Sequence, residues 1–105
     1  MTVLTDAPAT AVPSTTRTVT VAGALDVTTL PRVRDELERA VAARPAGLVV
    51  DLSACTFVDA SALAVLLDVH RRLSRSSAVL TLHGCCPRVL RLLSLTGLRR
   101  VFALD

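Results

Sequence analysis

The sequence predicts a single α/β domain in which strands and helices alternate as β-α-β-α-β-α-β, with a mixed, largely parallel sheet packed against helices. Three observations carry this expectation. Leu48-Val49-Val50-Asp51-Leu52 is a short, nearly continuous apolar run, the pattern of a strand buried on both faces. Leu30, Val33, Leu37 and Val41 recur at helical spacing and form one apolar stripe. Gly23, Gly47, Gly84 and Gly97 each fall where one such pattern stops.

The elements follow in order. Residues 1–16 are rich in Ala, Pro, Thr and Ser without a sustained period, and a flexible N-terminal tail is expected there, with Val3 and Leu4 offering a short edge strand near residues 3–5. The domain proper then covers residues 17–105. Residues 17–22 alternate with β-branched side chains and predict a strand ended by Gly23. Thr28 or Thr29 can cap the first helix, Pro31 fits its first turn, and Pro45 and Gly47 stop it. After the strand at 48–52, residues 53–59 read as a loop. From Ala60 the pattern turns helical, with Leu63, Leu66 or Leu67, His70 and Leu73 on one side, until the serines of residues 74–77. Residues 79–83 predict a strand, Pro87 opens a third helix, and Gly97 is placed as its left-handed stop with Leu98 as the apolar partner. Residues 100–104 close the domain as a last strand.

Composition removes several functional classes. The 105 residues are 51% hydrophobic, and mean hydropathy is +0.55, yet no window holds 18 uncharged apolar residues, so no membrane span is expected. Residues 1–16 have no basic segment followed by an apolar one, and three cysteines cannot close a disulfide framework; a reduced cytoplasmic protein is expected. The net charge of +3 comes from 12 arginines without a lysine, spread along the chain. With Phe57 and Phe102 as the whole aromatic complement, there is no stacking platform for a nucleic acid, and none is expected as a partner. Arg71, Arg72 and Arg75 cluster where a helix ends, a favourable place for cations.

Motifs for enzymatic chemistry fail one by one. No glycine-rich phosphate loop or G-x-S-x-G elbow is present, and His70 and His83 fall on different elements. Cys55, His83, Cys85 and Cys86 make a nominal ligand set, but the spacing is not C-x-x-C and adjacent cysteines rarely share one ion. Neither a metal nor a cofactor is expected. A small thiol enzyme using Cys55, Cys85 or Cys86 is the rival from another class, and it requires a depressed thiol pKa.

The segment Thr56-Phe57-Val58-Asp59-Ala60-Ser61-Ala62-Leu63 is different. It runs from an apolar strand into a helix and places Asp59 and Ser61 at the helix N-terminus. One of the two is expected to cap the helix, and the same end receives a phosphate favourably. Together with Gly23-Ala24-Leu25-Asp26, Val49-Val50-Asp51-Leu52 and Gly97-Leu98, this segment resembles a STAS domain of the anti-sigma factor antagonist type, over roughly residues 17–105. The resemblance implies that Ser61 is the phosphoacceptor of a partner kinase that is itself the anti-sigma factor. The unphosphorylated form would bind that kinase and free the sigma factor, and a serine phosphatase would reset the switch. It also implies a kinase-facing surface built from Asp26, Asp59, Ala60, Ala62 and Leu63, and a protein that is not itself an enzyme. Asp26 is equally well read as a turn acid before the first helix, and Phe57 and Val58 as core anchors. Ala60 stands where the family often has serine and Ala62 where it usually has glycine. These departures favour the alternative, a STAS scaffold subunit of a transport or signalling complex with no phosphorylation cycle.

Overall fold

A computed structural model describes residues 15–105. The elements are β1 (Thr16–Leu25), α1 (Leu30–Ala42), β2 (Gly47–Val58), α2 (Ala60–Arg75), β3 (Val79–His83), α3 (Pro87–Leu95), a 3₁₀ turn (Leu98–Arg100) and β4 (Ala103–Leu104). The expected edge strand near residues 3–5 lies outside the described residues, as does all of the expected tail except Thr15 and Thr16, and Thr16 already belongs to β1.

The sheet has the order β1-β2-β3-β4, and all three pairings are parallel. The mixed character expected from the sequence is therefore absent among the described residues. A chain that moves one strand sideways at each crossover, always in the same direction and with one hand, leaves its helices on one face of the sheet. Burial agrees with this. Val19 and Val21 of β1, Leu48, Val50 and Leu52 of β2, and Leu80 and Leu82 of β3 are buried, while their alternating neighbours Thr18, Thr20, Val79 and His83 are exposed. The run at 48–52 is thus buried on one face only: Val49 and Asp51 are half-covered.

The helices supply the opposing layer. Leu30, Val33, Leu37 and Ala40 of α1 are buried, so the stripe turns onto Ala40 and leaves Val41 half-buried. From α2 the core takes Ala62, Leu63, Val65, Leu66, Val69 and Leu73, and from α3 Val89 and Leu93. Arg72 leaves the expected cluster of helix-end cations to grip Glu38 of α1 through both guanidinium nitrogens, at 2.7 and 2.8 Å. Gly97 has φ +77, the left-handed stop expected of it. The last strand is shorter than expected, because Leu98–Arg100 winds into the 3₁₀ turn and the Leu98 carbonyl accepts from the amides of Val101 and Phe102.

The largest departure is β2. Residues 53–58, expected as a loop, continue the strand against β1. The pairing survives two register shifts, between Thr20 and Ala22 and between Gly23 and Ala24, and ends with Ala24 opposite Phe57 and Leu25 opposite Val58. Gly23 lies inside β1, at the second shift, with φ +75. β3 accompanies β2 only as far as the pair Asp51–His83, so the far half of β2 and the end of β1 form a two-stranded ribbon that carries the β1–α1 and β2–α2 connections beyond the sheet.

Gly84 and Gly23 share a left-handed backbone but differ in their surroundings. A methyl group at Gly84 would lie 2.7 Å from the Ser53 Cβ and 2.9 Å from its Cα, whereas nothing lies within 4 Å of one at Gly23. Gly23→Ala is expected to cost about 1 kcal/mol from backbone strain alone, and Gly84→Ala about 3 kcal/mol because overpacking adds to it. Urea unfolding of the two variants checks this. Equal losses would mean that the Ser53 contact relaxes freely.

Candidate functional site

The register of β1 on β2 brings two turns together. The Asp59 amide donates to the Leu25 carbonyl (3.1 Å), which closes the ribbon one residue beyond the Leu25–Val58 pair. Asp59 is therefore held at the junction of β2 and α2 in an extended conformation (φ −95, ψ 178), as an N-cap requires. One carboxylate oxygen, Oδ1, accepts the Ala62 amide at 2.9 Å and the Ser61 hydroxyl at 2.6 Å. The other, Oδ2, accepts the amide of Val27 from the β1–α1 turn at 3.1 Å. One side chain thus caps its own helix, orients the serine and ties down the neighbouring turn.

That turn is organised by Asp26. Its Oδ1 accepts the Thr28 hydroxyl (2.6 Å), the Thr28 amide (2.9 Å) and the Thr29 amide (3.2 Å). Its backbone carbonyl receives the amides of Thr29 and Leu30. Neither threonine caps α1 through its side chain as expected: the Thr28 hydroxyl is spent on Asp26 and that of Thr29 donates to the Ala24 carbonyl at 2.9 Å. Asp26 is accordingly a turn acid, and it also sits close enough to Asp59 to push that carboxyl's pKa upward.

Hydrogen bonding wins over that repulsion. The Ser61 hydroxyl, followed by the amides of Ala62 and Val27, holds the Asp59 carboxyl below the ordinary carboxylate range. Asp26 is lowered too, chiefly by the Thr28 hydroxyl and amide. Both acids are therefore ionised near neutrality, and the surface around Ser61 carries two negative charges before any modification.

The other residues assigned to a binding face separate by burial. Ala60 and Ser61 are exposed, but Ala62 is fully buried and Leu63 is 5% exposed. Ala62 and Leu63 are core contacts on the inner side of α2 and cannot present side chains to a partner. The methyl group of Ala62, in place of the family's usual glycine, points into the core and not toward the serine. Val58 is a core anchor as expected, whereas Phe57 is 39% exposed. Sequence reasoning passed over Val27, 68% exposed on the turn held by Asp59. Its place as an apolar residue between Asp26 and Thr28, inside a polar turn, was the available signal. An aspartate two residues before a serine also occurs at Asp51 and Ser53, with the same 2.6 Å hydroxyl bond, but there the pair lies along β2 with no helix end beside it.

Cys55 and Cys85 lack the depressed pKa that a thiol nucleophile requires. Burial pushes Cys55 and Cys85 above the ordinary thiol value, and their mutual proximity and that of Cys86 push the same way. Among the described residues, no group of His, Cys, Asp and Glu is arranged to hold a metal ion, and no helix is long and apolar enough to cross a membrane.

The STAS domain family model matches residues 7–105. The chain belongs to the STAS domain family. This STAS domain is 33% identical to a STAS-domain containing protein of Pseudomonas aeruginosa over 88 residues, 84% of this chain and 86% of that one. It is 32% identical to the anti-sigma-B factor antagonist of Listeria monocytogenes, covering 74% of this chain and 68% of the relative. Among solved structures, an anti-sigma factor antagonist from Mycobacterium paratuberculosis superposes with a TM-score of 0.75 at 31% identity, over 83% of this chain and 74% of that one.

Two outcomes follow from the site's chemistry. A carboxyl whose folded pKa is depressed contributes stability that is present above its unfolded pKa, 3.8 for Asp59 and Asp26, and is lost as pH falls through the lower folded value. In Ser61→Ala the largest cause of that depression is gone. NMR titration of the Asp59 carboxyl carbon is expected to give a higher midpoint in Ser61→Ala than in wild type, with the Asp26 midpoint nearly unmoved. For the thiols, the folded protein is expected to react with iodoacetamide at pH 7 at least tenfold more slowly than the urea-unfolded chain, by mass spectrometry. Faster reaction in the folded state would revive the thiol enzyme.

Proposed function

We propose that this STAS domain is a cytoplasmic anti-sigma factor antagonist, switched by phosphorylation of Ser61. In this reading the unphosphorylated form binds an anti-sigma factor that is also a serine kinase, and so releases the sigma factor. A serine phosphatase restores the phosphorylated form to the binding state, and the domain itself catalyses nothing. The observation that carries the reading is the position of Ser61. Its hydroxyl is exposed in the first turn of α2 and directed by a 2.6 Å bond to an ionised aspartate. The names borne by the Listeria and Mycobacterium relatives support the same assignment.

The physical chemistry of such a switch is adequate. A phosphoserine brings roughly −1.5 to −2 charges and three acceptor oxygens. Here it arrives beside Asp59 and Asp26, whose charges it reinforces. Moving a partner from mostly bound to mostly free takes about 3–5.5 kcal/mol of differential affinity, and like charges brought together in a desolvated interface cost several kcal/mol. The contact face in this reading consists of Ala60 and Ser61, the exposed turn at Val27, and the edge of Phe57. Asp59 and Asp26 hold these groups in place.

The test is a pull-down from native lysate with wild type, Ser61→Ala and Ser61→Glu as baits. A serine kinase of the anti-sigma type is expected on wild type and Ser61→Ala, with at least tenfold less on Ser61→Glu. The purified kinase should label wild type with phosphate and leave Ser61→Ala unlabelled. If all three baits hold the same partners and no label enters wild type, Ser61 is only part of a helix cap and the domain is a scaffold.

A further inference from the structure

The Ser61 side opens on a groove of about 450 Å³ between α1 and α2. Leu30, Arg34 and Glu38 form its α1 wall at four-residue steps, and Ser61, Val65 and Asp68 belong to its α2 wall. Both helices connect parallel strands in the same sense, so their N-terminal ends lie at the same end of the molecule. At the other end the groove is clamped. Glu38 accepts both guanidinium nitrogens of Arg72, and Asp68 lies 3.5 Å from the same group. Arg34 makes no ion pair or hydrogen bond of its own among the described residues, and its charge reaches the same Glu38 carboxylate only from a distance. Long side chains on a helix lean toward its N-terminal end, which is the end where Ser61 stands, and Arg34 and Ser61 line the same groove.

We propose that Arg34 is the intramolecular counter-cation of phosphoserine at position 61, so that phosphorylation draws the open end of the α1–α2 groove shut. This deepens the reading of Ser61 as the phosphoacceptor and rests on it. The unmodified hydroxyl, at the edge of the groove, is committed to Asp59 by its hydrogen bond. Once esterified, the serine oxygen has no proton to donate, and the dianion beside Asp59 is repelled by it. Rotation toward the groove removes the repulsion and meets a planar fork of donors suited to bidentate phosphate recognition. The charged groups facing the phosphate there are Arg34 and Glu38 from α1 and Asp68 from its own helix, with Asp59 and Asp26 behind it. Among the described residues, Arg34 is the one cation lining the groove. In the unmodified protein the same guanidinium is exposed beside the proposed contact face and feels Glu38 only through its charge.

The test uses the full chain with phosphoserine incorporated at position 61 during translation, so no kinase is involved. The second ionisation of the phosphate is followed by phosphorus NMR in three proteins: wild type at position 34, Arg34→Lys and Arg34→Gln. A nearby cation favours the dianion, and the phosphate midpoint is expected at least about half a pH unit lower with Arg34 than with glutamine, with lysine between. The Arg34 Nε resonance is expected to shift on phosphorylation. One midpoint shared by all three proteins, with that resonance unmoved, would overturn the proposal. Because the phosphate is encoded, a failure to capture or be labelled by a kinase would sink the switch and leave this result standing. The reverse also holds: a kinase that releases normally from an Arg34-independent phosphoserine sinks only the counter-cation.

Discussion

One carboxylate holds the functional end of this molecule together. Asp59 receives the amide that starts its own helix, the hydroxyl of Ser61 and the amide of Val27 from a turn 32 residues earlier in the chain. An N-cap is ordinarily a local device. Here its second oxygen extends across to the neighbouring connection, so the start of α2 and the turn before α1 are placed by the same group. The arrangement depends on the ribbon beneath it, because Asp59 can reach Val27 only when β1 and β2 end in step. Two register shifts, each taking up an extra residue of β2, achieve that, and the left-handed backbone of Gly23 faces one of them.

Electrostatics at this end run against intuition for a chain of net charge +3. Arg72 is engaged with Glu38 and Arg34 lines the neighbouring groove, while the tip itself carries two aspartates kept ionised by short hydrogen bonds. A phosphate added there enters a field already negative. In the proposed switch the phosphate stands between this negative field and the Arg34 guanidinium of the adjoining groove, and needs no rearrangement of the core to be felt by a partner.

Much of this was legible in the sequence. The alternation of elements, the apolar stripe of α1, the left-handed stop at Gly97 and the pairing of Asp59 with Ser61 at a helix start all follow from local patterns. The misreadings have physical causes. Ser53, Ala54 and Thr56 look like loop residues, yet they are strand residues because β1 pairs with Ala54, Cys55, Phe57 and Val58 around them, and cross-strand pairing overrides weak local preference. Ala62 and Leu63 sit beside the serine in sequence, but one helical step turns them into the core. The single-sided burial of the sheet follows from strand order, which no local pattern encodes. The face of α1 that looks at Ser61 is likewise a tertiary fact.

The ribbon formed by the ends of β1 and β2 has a mechanical consequence. Residues 52–58 of β2 extend past the last pair shared with β3, so they span roughly 23 Å at about 3.3 Å per residue with hydrogen bonds on one side only. Two-stranded ribbons twist and bend more readily than the sheets that feed them. This one is held instead by packing: Leu25, Leu52, Cys55 and Val58 are buried in the core, so the ribbon is hydrogen-bonded along one edge and packed along one face. The serine, its aspartate and the adjoining turn thus ride on a footing fixed by the core, and amide exchange at Cys55 and Val58 should be as slow as at Leu48 and Val50.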